Sequence, residues 1–296
     1  MRERLITAAE LSALAEEGTT AHRLWTGPGG WVERFGDDWL VSVDDSGRNI
    51  AARVPEWSEA LGLTVNRVFV RKLVKQPGED DKPVQVAGPQ GPMETVVTER
   101  GLRFGVDFAA GYSAGLFCDQ RANRAHLESL RPRRVLNTFA YTCAFSVAAA
   151  RAGSETLSLD LSRKSLERGR ANLELNGLAG AQHRFIADDV FSVLPRLARR
   201  GEKFDAIILD PPTFSRGEKG RVFRAERDLP QLVALAMDLA EPGAWILLST
   251  NARALDVSAL ESLAWEAPGA AQVRAIPPPP EYPPGSASAT AWISKA

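Results

Sequence analysis

From Arg134 onward, short aliphatic runs alternate with segments whose apolar residues recur at helical spacing, and this alternation constrains the fold more than any other feature. The strand-like runs are residues 135–137, 156–160, 183–187, 204–210 and 244–249. Residues 144–151, 162–175 and 229–239 read as helices between them, and Asn176-Gly177 supplies a C-terminal stop for the second. The pattern predicts a doubly wound α/β sheet with helices on both faces. In such sheets, ligands collect beyond the carboxyl ends of the strands.

Three of those strand ends carry acid. The run Phe204-Asp205-Ala206-Ile207-Ile208-Leu209 stops at Asp210-Pro211-Pro212-Thr213-Phe214. The prolines lack a backbone donor and hold a stiff turn with free carbonyls, Asp210 is placed where a ligand would lie, and Phe214 is suited to stack on a flat substrate. Asp160 follows the second strand, near the spacing of ~20 residues at which a carboxylate accepts from ribose hydroxyls. Asp188 and Asp189 follow the third, where a carboxylate can accept from the exocyclic amine of adenine while Val190 or Phe191 packs on the ring. A solvated or capping aspartate is the commoner fate of any one of them; acids ending consecutive strands carry more weight together.

The first loop, Thr138-Phe139-Ala140-Tyr141-Thr142-Cys143-Ala144-Phe145, has no glycine. A dinucleotide needs G-x-G-x-x-G there for its pyrophosphate, so NAD and FAD are disfavoured. S-adenosylmethionine, whose methionine tail has no phosphate, remains compatible, because the loop can wrap a carboxylate and an ammonium. Upstream, Asp119 is placed to cap a helix over residues 122–130, and Arg121 to pair with a ligand carboxylate. After the Asp-Pro-Pro turn, Arg216, Lys219, Arg221, Arg224 and Arg227 oppose Glu218 and Glu226, a balance suited either to RNA phosphates or to plain solvation.

Residues 1–115 read as a smaller α+β domain, with Trp25, Trp31, Trp39 and Trp57, short alternating runs at 39–43 and 68–71, and an exposed loop or hairpin insertion at 76–92. Residues 95–99 and 102–108 flank Arg100-Gly101 as a hairpin. Residues 116–296 form the second domain, ending in a proline-rich loop (277–284) and a last strand at 290–293. The two cysteines and three histidines have no metal-ligand spacing, so no metal is expected. The charged N-terminus and the lack of a long apolar stretch predict no membrane contact and a cytoplasmic protein. A net charge of −1 argues against a strongly basic nucleic-acid binder but allows a local basic patch.

Taken together, residues 115–124, 136–145, 158–175, 188–191 and 209–215 resemble the bacterial class I S-adenosylmethionine-dependent 23S ribosomal RNA methyltransferases. The resemblance covers most of the chain and implies a Rossmann-like methyltransferase sheet, with S-adenosylmethionine held by Gln120, Arg121, Asn137, Thr138, Phe139, Ala140, Thr142, Asp160, Leu161, Asp188, Asp189 and Val190. It implies Asp210, Pro211, Pro212 and Phe214 as the catalytic turn; the basic Arg216, Lys219 and Arg221 after it are the candidate RNA contacts. The N-terminal segment, including Asn66-Arg67-Val68-Phe69-Val70-Arg71, is similar to the family's small substrate-side domain. The sequence leaves the oligomeric state open.

Asp210-Pro211-Pro212-Thr213-Phe214-Ser215 and Ser249-Thr250-Asn251-Ala252-Arg253 are similar to the branch that methylates N7 of guanine. The related cytosine-C5 branch needs a cysteine that adds to C6, placed after the fifth strand; residues 247–252 contain none. Guanine N7 has an available lone pair and needs mainly in-line positioning. The chain departs from the family at Cys143, where the first loop usually has glycine; the side chain is expected to narrow the cofactor pocket or to alter the backbone path. Alternatives are another acceptor (an exocyclic amine, cytosine C5, a small molecule or a protein side chain) and a non-catalytic RNA-binding protein on the same fold.

Overall fold

A computed structural model describes residues 3–47, 49–74, 82–216, 222–252 and 254–296. The chain divides into two compact units: residues up to Arg121 together with Pro279–Ser286, and Ala122–Pro278 together with Ala287–Ala296. The boundary expected at 115/116 lies inside the first unit.

The first unit is built on a six-stranded sheet in sequence order, β1 (Arg4–Leu5), β2 (Ala21–Gly27), β3 (Gly30–Phe35), β4 (Asp38–Val43), β5 (Arg67–Lys72) and β6 (Val84–Ala87). All neighbours are antiparallel except β4 and β5, which need a crossover; helix α2 (Val54–Leu61) lies within it. Helix α1 (Ala8–Glu16) starts at a capping box, with Thr7 and Glu10 satisfying each other's backbone donors. Three of the four tryptophans that marked this segment lie in its core, where Trp25 stacks on Trp57 at 5.1 Å among Leu24, Val32, Trp39 and Val41, while Trp31 is half-buried. Part of the expected insertion, residues 75–81, lies outside the described residues, and the next element along the chain is the edge strand β6. Strands β7 (Glu94–Glu99) and β8 (Leu102–Asp107) pair across Arg100 (φ +50°) and Gly101 (φ +76°), the doubly left-handed corner of a two-residue hairpin. Two arginines are sequestered by carboxylates here. Arg67 Nε donates to Asp38 Oδ1 at 2.8 Å, and Arg121 donates through both terminal nitrogens to Glu281, at 2.5 and 3.0 Å.

The second unit contains a seven-stranded sheet. Its strands are β9 (Arg134–Thr138), β10 (Glu155–Asp160), β11 (His183–Ala187), β12 (Phe204–Leu209), β15 (Ala240–Thr250), β16 (Ala270–Arg274) and β17 (Ala289–Lys295); β13 (Phe214–Arg216) and β14 (Val222–Arg224) form a separate hairpin. The order is β11-β10-β9-β12-β15-β17-β16, with only β17 antiparallel to its neighbours. Chain order reverses between β9 and β12, which makes their carboxyl ends a topological switch point. Helices α3 (Arg121–Leu130), α4 (Ala144–Arg151), α5 (Arg163–Leu175), α6 (Val190–Arg199), α7 (Ala225–Leu239) and α8 (Val257–Trp265) provide the other elements.

Burial on both faces explains the unbroken aliphatic runs. Along β12, Ile207 and Leu209 join Leu136, Ile246 and Leu248 in one core, while Ala206 and Ile208 join Val135, Leu247 and Trp292 in the other. Strand β16 and helices α6 and α8 were not anticipated; β16 is a largely exposed edge strand of Ala, Gln and Arg, with little apolar signal. No helix among the described residues is long and apolar enough to cross a membrane.

Candidate active site

The loop after β9 reverses the chain without glycine. Phe139, Tyr141 and Cys143 have φ of +52°, +48° and +61°. Each costs an L-residue about 1–2 kcal/mol, and such strain persists only where its surroundings overdetermine it. Here Ala140 N–H donates to Leu159 O (3.0 Å), Cys143 N–H to Ala140 O (2.7 Å), Tyr141 N–H to Asp160 Oδ2 (2.8 Å), and Asn172 Nδ2 to Thr142 O (2.9 Å). A buried polar stack lies underneath, in which Asn137 Nδ2 donates to Ser146 Oγ (2.9 Å) and Ser146 Oγ meets Ser158 Oγ at 2.8 Å. Thr138 Oγ1 donates to Ile208 O at 2.7 Å. The side chains of Asn137 and Thr138 thus support the loop, while Thr142 is buried and joins it through its carbonyl.

Cys143 is the N-cap of α4. Its backbone takes the left-handed conformation a glycine would take, and its side chain turns into a small core with Ala140, Leu166 and Phe185. Room exists because residue 169 on α5 is glycine: a Cβ there would lie 2.3 Å from Cys143 Sγ and 2.8 Å from its Cβ. Burial pushes the Cys143 thiol up to about 12, outweighing a hydrogen bond with Ser158.

Asp160 ends β10 with each carboxylate oxygen accepting one backbone N–H, from Ser162 and Tyr141, both at 2.8 Å. Burial raises its pKa despite those two donors. An ionised carboxylate has about four acceptor positions, so two N–H groups leave capacity for ligand hydroxyls. Leu161 beside it is exposed. After β11 the two aspartates diverge. Asp189 is the N-cap of α6, accepting from Phe191 N–H at 2.8 Å, whereas Asp188 is ion-paired with Arg196 and accepts from Asp189 N–H at 2.7 Å. The Val190 side chain is in the main core, which leaves its backbone as the part able to meet a ligand.

The turn after β12 completes the constellation: Pro211 is buried, whereas Pro212, Thr213 and Phe214 are exposed, Phe214 to 49%. Thr213 O accepts from Ala225 N–H at 3.1 Å, closing the base of the β13–β14 hairpin. Phe223 on β14 is buried 5.9 Å from the rings of both Phe139 and Phe191, so the hairpin is packed against the first loop and the start of α6. Spacing alone did not mark this trio. Of the basic residues, Lys219 and Arg221 lie outside the described residues, Arg216 ends β13, and Arg227 is bound to Asp228. Gln120 is buried in a turn at the end of the first unit, and the carboxylate that Arg121 meets is that of Glu281.

Residues 70–293 match the S-adenosylmethionine-dependent methyltransferase family. The chain is 33% identical over 248 residues to the ribosomal RNA large subunit methyltransferase I of Klebsiella pneumoniae (strain 342); the alignment covers 79% of this chain and 61% of that relative, so the chain spans less than two thirds of its length. Among solved structures it resembles SMU.776, described as a methyltransferase complexed with SAH (TM-score 0.82, 24% identity, 97% of this chain and 79% of that one). It also resembles the SAM-dependent methyltransferase from Agrobacterium tumefaciens (TM-score 0.70, 25% identity, 83% and 78%).

Proposed function

Because the chain belongs to the S-adenosylmethionine-dependent methyltransferase family, we propose that it methylates a base of 23S ribosomal RNA, with N7 of guanine as the acceptor. The observation that carries the acceptor is the stiff Asp210-Pro211-Pro212-Thr213-Phe214 turn at the switch point, beside a turn after β15 that has no thiol. The Klebsiella relative, described as acting on large-subunit ribosomal RNA, supports the substrate class.

The donor set of the site fits the cofactor. Asp160, with acceptor capacity left beside its two backbone donors, would accept from the ribose hydroxyls, Asp188 would accept from the adenine amine, and the loop 139–143 would hold the methionine end. Leu161 offers an apolar surface beside Asp160. Once bound, S-adenosylmethionine supplies a methyl group on a positively charged sulfur.

For guanine N7 the residues have little proton chemistry to perform. The lone pair is available at neutral pH, so the task is to hold the base in line and keep water out. Phe214 provides an exposed ring for stacking, and the Asp210 carboxylate favours the positive charge that the purine acquires. Covalent addition by a thiol is disfavoured: Cys118 is buried in the first unit, and Cys143 is buried with its pKa held at about 12, so it stays protonated. Arg216, Lys219 and Arg221, which come after the turn, are the proposed phosphate contacts.

The test is incubation of the full chain with labelled S-adenosylmethionine and an unmodified 23S rRNA transcript, followed by digestion and mass spectrometry of the nucleosides. The expected product is 7-methylguanosine; 5-methylcytidine or an N-methylated exocyclic amine overturns the acceptor.

A further inference from the structure

One side-chain hydrogen bond ties the turns after β12 and β15 together: Thr213 Oγ1 donates to Asn251 Oδ1 at 2.6 Å. Both residues are exposed, yet both are anchored from behind. Thr213 is pinned through its carbonyl by Ala225 N–H, and Asn251 stands on buried Thr250, whose Oγ1 accepts from Ala252 N–H at 3.1 Å, while the Ala252 side chain lies in the core. With Oδ1 engaged by Thr213, the carboxamide has a defined orientation. Its Nδ2, carrying two N–H donors, is directed away from Thr213, and among the described residues no acceptor meets it.

We propose that Asn251 is a specificity-determining residue that donates from Nδ2 to the O6 carbonyl of the guanine being methylated. The inference rests on the guanine-N7 reading and adds the means of selecting that base. O6 is adjacent to N7 on the same edge of the purine, so a donor to O6 fixes the ring beside the reacting atom while leaving the N7 lone pair unobstructed. Adenine presents an amino group at that place, which would set donor against donor. A site built to hydrogen-bond one group rejects the analogue that leaves its buried polar groups unpaired. Thr213 acts through Asn251 as a positioning residue: it holds the amide so that N–H, and not C=O, faces the base.

The aspartate variant separates this role from a merely structural one. Asn251→Asp is nearly isosteric and keeps an oxygen to accept from Thr213, so a simple tie between the turns survives it, whereas both donors are lost and a carboxylate faces O6. Asn251→Ala loses the tie and the donors together. With the full chain and an unmodified 23S rRNA transcript, kcat/KM is expected to fall roughly tenfold in Asn251→Ala, the worth of one neutral hydrogen bond. The fall in Asn251→Asp is expected to be at least as large, and Thr213→Val is expected to lose a smaller factor. The affinity for S-adenosylhomocysteine, measured by calorimetry, stays within twofold of wild type in all three, which also establishes that the cofactor side remains folded. If wild type yields 7-methylguanosine and Asn251→Asp retains its rate, the amide assignment is overturned and the guanine reading stands. If wild type yields a different methylated nucleoside, both fall.

Discussion

Gly169 and Cys143 form a complementary pair, and exchanging their sizes tests how the first loop is held. In Gly169→Ala the new Cβ would meet Cys143 Sγ at 2.3 Å and Cys143 Cβ at 2.8 Å. Rotation about χ1 can move the sulfur but not the Cβ. The backbone cannot withdraw easily either, because Cys143 N–H is bonded to Ala140 O, Cys143 O to Val147 N–H, and Thr142 O to Asn172. Overpacking of this kind costs about 1–3 kcal/mol, and the rigid neighbour places it in the upper half of that range. Alanine in place of glycine inside a helix returns about 1 kcal/mol, so the net loss is about 1–2 kcal/mol. For a protein of this size that corresponds to a drop in Tm of roughly 2–8 °C. Cys143→Gly removes both clashing atoms and suits φ +61°, so Cys143→Gly/Gly169→Ala is expected to recover wild-type stability or exceed it. A double-mutant cycle by calorimetry in the absence of cofactor should give a coupling of at least about 1 kcal/mol. Additive effects, or a Gly169→Ala variant as stable as wild type, would refute the account of how the loop tolerates cysteine.

Asp160→Asn is expected to weaken S-adenosylhomocysteine binding by at least tenfold in calorimetry. Because burial raises the pKa of Asp160, wild-type affinity should start to decline on acidification at a higher pH than an ordinary aspartate would allow; a pH-independent affinity down to pH 4 would contradict this. His22 is fully buried, its Nε2 has no hydrogen-bond partner among the described residues, and burial lowers its pKa to about 3. The unfolded state then binds the proton first, so stability is lost as pH falls from about 6.5 towards 3, by up to about 1.4 kcal/mol per pH unit. Acid unfolding of His22→Gln should show a shallower dependence, and identical profiles would exclude His22 as the source. Phe223→Leu retains bulk but loses two aromatic pairings worth about 0.5–1.5 kcal/mol each; a several-fold loss of S-adenosylhomocysteine affinity is expected although residue 223 is on the hairpin, and unchanged affinity would show the trio to be inert.

The central strands β12 and β15 were legible because burial on both faces leaves them long aliphatic runs, and the acidic end of β12 was legible because the run stops there. Which aspartate does what was not. Asp189 and Asp188 are adjacent in sequence, and only the start of α6 shows that the first is consumed as a cap while the second pairs with Arg196 further along the helix. The first loop ran against propensity, since aromatic residues at positive φ are held by contacts far away in sequence. A glycine in the middle of an otherwise strong helix, at 169, was the available hint that something packs closely there. Asn251 was visible as part of a motif, but its partner Thr213 is 38 residues away, and no periodicity connects them. The proline-rich loop was recognisable by composition, whereas its destination was not.

That destination bears on how such proteins can be divided or recombined. Pro279–Ser286 lies in sequence between β16 and β17 yet belongs with the first unit, so the chain passes between the units three times. Glu281 supplies the carboxylate for Arg121, and the Tyr282 ring lies 4.4 Å from the Arg23 guanidinium. A fragment cut at residue 121 would strip Arg121 of its two-pronged partner and leave it the more distant Glu17 carboxylate at 3.9 Å, and would leave one face of Arg23 bare. The first unit is therefore not a detachable N-terminal cassette: a chimera that exchanges it with a relative must bring along an eight-residue piece from the far end of the chain.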